Sequence, residues 1–94
     1  MLNTEEYSFV KNTIILPLKE YDEKYKSELE LTLEKCLTND TLEKAAAELH
    51  IHSSTLRYRL QKIKNLTNAD YFSTQGKYLL NTAYIISKLD PYSL

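Results

Sequence analysis

Turn-forming residues are almost missing from this chain: Gly76 is the only glycine, and Pro17 and Pro91 are the only prolines, among 94 residues. A many-stranded β fold needs a turn about every 8–12 residues, so sandwiches and barrels are excluded and helices must carry the chain. Leu, Ile and Ala are plentiful and 27% of residues are charged, the balance of a globular domain. No repeat, linker or break in composition divides the sequence, so one all-α domain is expected over residues 1–94.

Apolar spacing predicts a small bundle of about five helices. Tyr7, Val10 and Ile14 define the first, which should stop before Pro17, because the residue preceding a proline is pushed out of the helical region. Asp22 or Ser27 is expected to cap a long helix with Tyr25, Leu29, Leu33 and Leu37 on one side. Glu20–Lys24 and Asp22–Lys26 have the spacing of helical ion pairs, each worth about 0.2–0.5 kcal/mol. Asp40 and Glu43 are spaced as a capping box, ahead of Leu42, Ala45, Ala46 and Leu49. The next helix is expected to take Ser53 as its N-cap, to turn Leu56, Leu60 and Ile63 inward, and to close at Asn68, which tolerates the left-handed conformation. Ser73 opens the last helix, with Tyr78, Leu79, Ala83, Ile86 and Leu89 inward. Leu80, Tyr84 and Ile85 make that helix apolar nearly all round, so it is either central or shared with a second subunit.

The net charge is only −1, but its distribution is uneven. Residues 1–37 hold five lysines against eight acids, whereas residues 52–66 hold Arg57, Arg59, Lys62 and Lys64 and no acid. A basic stripe on an acidic body is either a footprint for a polyanion or a solvated helix face.

Residues 41–66 have the pattern of a helix-turn-helix: two short amphipathic helices joined by a few residues. Ala45, Ala46 and Ala47 offer small side chains where the second helix must cross, and Ile51 can plug the angle between the two. On the second helix Ser54, Tyr58, Gln61 and Asn65 lie opposite the buried stripe, with Arg57 and Lys62 on the shoulders and Thr55 and Arg59 nearer the packed side. Arginine reads guanine edges, glutamine reads adenine, and hydroxyls and lysine suit phosphates. Thr41, at the start of the preceding helix, is placed near a DNA backbone.

The run "LEKAAAELHIHSSTLRYRLQKIKNLTNADY" resembles the C-terminal helix-turn-helix domain of PucR-type transcriptional regulators. The likeness extends upstream through "LPLKEYDEKYKSELELTLEKCL" and downstream to "YLLNTAYII", covering about residues 16–87. Residues 45–63 are also similar to the DNA-binding end of the Fis nucleoid protein. The resemblance implies a recognition helix over His52–Ile63, with Thr55, Arg57, Tyr58 and Arg59 on the family's TL.YRL positions. Ser53 and Ser54 replace the family's usual arginine and asparagine, and Asn68 its usual glycine. The two serines remove a long cation and a bidentate amide, so the family's base preference does not transfer.

The expected function is therefore sequence-specific binding of double-stranded DNA in transcriptional control, through Thr41, Ser54, Thr55, Arg57, Tyr58, Arg59, Gln61 and Lys62. For Arg59 a salt bridge to Glu28, Glu30 or Glu34 is the competing role. The rival reading is a protein-interaction module that keeps the helix-turn-helix shape. Enzyme chemistry is not expected, since Ser53–Thr55 beside His52 lacks an orienting acid and reads as a cap. His50 and His52 lack the further converging ligands a metal needs; His50 suits the turn, where positive φ is tolerated. No cofactor, metal or small-molecule ligand is expected. Helix-turn-helix modules commonly bind as two-fold pairs with half-sites about 34 Å apart, and the 77–89 helix with Tyr7 and Phe9 is the expected homodimer surface. "MLNTEEYSF" is not a secretory start, the apolar runs are too short to cross a bilayer, and lone Cys36 reads as a buried small hydrophobe. A cytoplasmic location is the default expectation.

Overall fold

The computed structural model describes residues 3–89, and every regular element among them is helical. Asn3 caps α1 (Thr4–Val10) by accepting the Glu6 N–H at 2.8 Å. The helix does not stop before Pro17, as expected, but passes through a π-helical turn (Lys11–Ile15) into α2 (Leu16–Tyr25). Proline has no N–H to give, and in a regular ladder its ring presses on the carbonyl four residues back. Here the ladder widens just ahead of it, the Leu16 N–H reaching back to the Lys11 carbonyl. The α pattern restarts at Leu16, so Pro17 falls in a first turn, where a missing donor costs nothing.

The chain then breaks at Lys26, which is left-handed at φ 52°. It re-enters α3 (Leu29–Thr38) under the Asp22 carboxylate, which accepts the Leu29 and Glu30 N–H groups at 2.8 and 2.9 Å and the Ser27 hydroxyl. Of the two expected caps Asp22 acts at this start, reaching it from the preceding helix, while Ser27 accepts no helix N–H and only donates to the Asp22 carboxylate. Tyr25 belongs to α2 and is exposed. Because Lys26 has left the helix and Asp22 is spent on the cap, the Asp22–Lys26 ion pair does not form, nor does Glu20–Lys24.

Thr41 caps α4 (Leu42–Leu49), its Oγ1 accepting the Lys44 N–H at 3.2 Å. Asp40 pairs with the Lys44 ammonium at 3.0 Å, so the Asp40–Glu43 capping box is replaced by a cap one residue later. α5 (Ser53–Thr67) closes at left-handed Asn68, as expected. Ser73 caps α6 (Thr74–Leu89) by accepting the Gly76 N–H at 2.9 Å.

One buried cluster draws on every helix, including Ile14, Leu18, Leu33, Leu56, Leu60, Ile63 and Leu80. Cys36 lies within it, as expected. α6 packs on α1, the π turn and α3, and so lies at the side of the bundle. Its buried line is Gly76, Leu80, Ala83 and Ile86, whereas Tyr78 and Leu89, expected inward, are 64% and 79% exposed. The phase is set by Gly76, where a Cβ would lie 2.1 Å from the Asp70 carbonyl oxygen. Only glycine lets two backbones approach this closely, and that contact turns Tyr78 outward.

Candidate nucleic-acid interface

α4 ends in a left-handed residue, His50 at φ 57°. The His50 N–H donates to the Ala47 carbonyl and the Ile51 N–H to the Ala46 carbonyl, both at 3.1 Å. This pairing satisfies two of the carbonyls a helix end leaves open, and the apolar residue that follows tucks inward. Half-buried Ile51 packs on the core beside Ala45 and Ala46, while Ala47 faces out rather than into the crossing.

The cap of α5 is His52 rather than Ser53. Its Nδ1 accepts the Ser54 N–H at 3.1 Å and lies 2.9 Å from the Ser54 hydroxyl. An imidazole nitrogen does here what a serine oxygen usually does, and Ser53 becomes the first helical residue. The His52 ring is thus engaged by the cap and His50 serves the turn through its backbone, and among the described residues no group of three His, Cys, Asp or Glu converges as a metal site.

Leu56, Leu60, Ile63 and Thr67 bury one side of α5. Ser54, Thr55, Arg57, Tyr58 and Gln61 are exposed on the remainder, with Lys62 half-buried and Tyr58 65% exposed. No carboxylate stands on this helix. Gln61 donates to the Asn65 side chain at 3.0 Å, which holds the amide on the outer face. On one shoulder the Arg57 guanidinium lies 5.6 Å from the centre of the Phe72 ring, and Lys64 stands 3.7 Å from Asp70. On the other, the Lys62 ammonium lies 5.7 Å from the centre of the Tyr21 ring. Thr41 is exposed at the head of α4 and makes its cap bond within that helix.

Arg59 points the other way. Its Nη1 donates to the Thr32 hydroxyl at 3.0 Å and lies 3.7 Å from the Glu28 carboxylate. Glu28 was one of the three acids anticipated for it. Phe72 and Tyr21 escaped the sequence reading. The available signal for Phe72 was an aromatic residue inside a polar turn segment, between Asp70 and Ser73.

Residues 29–86 match the family described as the PucR C-terminal helix-turn-helix domain. Over 66 residues, 69% of the chain, the sequence is 41% identical to the proline-responsive transcriptional activator PutR of Bacillus subtilis (strain 168). The chain spans 16% of the length of that relative. No solved structure matches it.

Proposed function

Because the chain belongs to the family of PucR C-terminal helix-turn-helix domains, we propose that it binds double-stranded DNA sequence-specifically and regulates transcription in the cytoplasm. The supporting observation is the outer face of α5, where Ser54, Thr55, Arg57, Tyr58, Gln61 and Lys62 meet no carboxylate of their own helix. α5 enters the major groove with Arg57 and Gln61 at base edges, and Thr41 meets the backbone from the start of α4. Arg59 serves from behind, holding α5 against α3. The chain acts as one domain, residues 1–94, which the shared core supports.

Two copies bind together. Phe9 and Tyr78 are 55% and 64% exposed and line one groove between α1 and α6 with Glu5, Glu6, Val10, Leu79 and Thr82. Aromatic residues presented outward on two adjoining helices support pairing at this face.

The test is fluorescence anisotropy of a labelled mixed-sequence duplex against salt, wild type beside Arg57→Ala. Each phosphate contact contributes about −0.9 to the slope of log affinity against log salt. If Arg57 reads a base, its loss costs about 1–3 kcal/mol on preferred sequences. A folded protein that leaves the duplex unbound at low salt would overturn the DNA reading in favour of a protein partner. A strictly monomeric mass at tens of micromolar, in sedimentation, would overturn the pairing.

A further inference from the structure

The turn between α2 and α3 and the flank of α5 beside it enclose a groove of about 350 Å³, lined by Tyr21, Lys26, Thr55, Tyr58 and Lys62 above the Glu28–Arg59 pair. We infer that this groove seats a backbone phosphate of the bound DNA, with Lys26 and Lys62 as its two cations. The inference rests on the DNA reading and adds to it a contact from outside the helix-turn-helix.

Three observations converge on it. Glu28, the carboxylate in the groove, faces the Arg59 guanidinium at 3.7 Å, so its charge is offset. The Lys26 ammonium makes no hydrogen bond, ion pair or ring contact with any described residue, its backbone N–H donating to the Asp22 carbonyl, and the Lys62 ammonium meets only the Tyr21 ring. The site therefore holds two cations without an anion of their own, beside two hydroxyls able to donate to phosphate oxygens.

The second observation is the backbone of Lys26, left-handed at φ 52° and ψ 41°. Glycine or asparagine takes this conformation at little cost, and a long side chain does not. A lysine held there against local preference presents its ammonium from the tip of the turn, and such positions collect where function compensates for strain.

The third is placement. A helix lying in the major groove has a phosphate strand on each side, the groove being about 12 Å wide. Lys64 stands on one flank of α5, beyond the base-reading Arg57. The groove holding Lys26, Thr55 and Lys62 lies along the other, so the two flanks meet the two strands, and contacts of this kind fix register.

The experiment uses the whole chain and the labelled duplex, with Lys26→Gly, Lys26→Asn, Lys62→Ala and a control, Lys88→Ala. Lys88 sits on α6, which does not pack on α5. The Lys26 variants should unfold at the same urea concentration as wild type or higher. Each should nevertheless flatten the salt slope by about 0.9, with an affinity loss of about threefold to tenfold at low salt, and Lys62→Ala should do likewise. Lys88→Ala should leave the slope unchanged. Wild-type slopes in stable Lys26 variants would overturn the phosphate seat and leave DNA binding standing. An equal flattening by Lys88→Ala would reduce the effect to general charge, and would also overturn it. Failure of the wild type to bind any duplex would instead remove the DNA reading itself.

Discussion

Arg59 on α5 donates a 3.0 Å hydrogen bond to the hydroxyl of Thr32 on α3, a residue with no exposed surface. That hydroxyl spends its own proton on the Glu28 carbonyl at 2.7 Å, so the arginine is its donor from the other helix. The bond locks the angle at which α5 leaves the bundle. Arg59→Met should cost about 1.5–3 kcal/mol of stability, the range for a hydrogen bond to a charged group, read from urea unfolding. The salt slope of DNA binding should stay at its wild-type value, whereas flattening by a full contact would place Arg59 on a phosphate.

Gly76→Ala gives a result of diagnostic sign. In an open helical site alanine would stabilise by about 1 kcal/mol relative to glycine. Here the added Cβ meets the Asp70 backbone at 2.1 Å, and a backbone cannot turn aside as a side chain can. A net loss of about 1–3 kcal/mol is expected, from urea midpoints. A gain would mean that α6 and the Asp70 turn are not in contact.

Burial pushes the Cys36 thiol from 9.0 up to about 11, with Lys77 pulling the other way. A raised value in the folded state keeps its stability contribution intact below pH 9 and loses it as the pH climbs towards 11. The loss for a shift of this size is about 2–3 kcal/mol. Comparing urea midpoints at pH 8 and pH 10.5 should show a larger drop for wild type than for Cys36→Ala. Equal drops would mean that the thiol is solvated.

Phe72 lies under the Arg57 guanidinium yet is 58% exposed. A cation over an exposed ring is worth about 0.5–1 kcal/mol. Phe72→Ala should therefore weaken duplex binding about twofold to fivefold by loosening Arg57, with only a small drop in stability, of about the same 0.5–1 kcal/mol. A large loss of stability would instead make the ring part of the packing.

The α5 stripe of Leu56, Leu60 and Ile63, the left-handed closures at His50 and Asn68, and the Ser73 cap were legible in the sequence. Each depends on the chemistry of one residue or on neighbours one turn away. What was hidden depends on contacts at longer range. Asp22 was legible as a cap, but not that the helix it caps starts seven residues later, across a turn whose left-handed lysine no propensity favours. Gly76 sets the phase of α6 by touching Asp70, and apolar spacing on a helix that is apolar nearly all round could not choose among faces. His52 displaced Ser53 as cap because its ring reaches the Ser54 N–H from one position earlier. Within the candidate interface, the order of residues around α5 was readable. The turning of Arg59 inward, and the arrival of Phe72, Tyr21 and Lys26 from other elements, required the fold.

The π turn at Lys11–Ile15 carries one residue more than an α ladder needs, and its wider i→i+5 spacing spreads that residue over the same turn. The helical segments on either side therefore keep nearly the phase of an uninterrupted ladder, and Phe9 stays in the groove it shares with Tyr78. Removing one residue between positions 11 and 15 would let the ladder close up and leave Phe9 close to its present azimuth. The surplus residue thus gives Pro17 a fresh first turn without turning the aromatic face between α1 and α6 away from its groove.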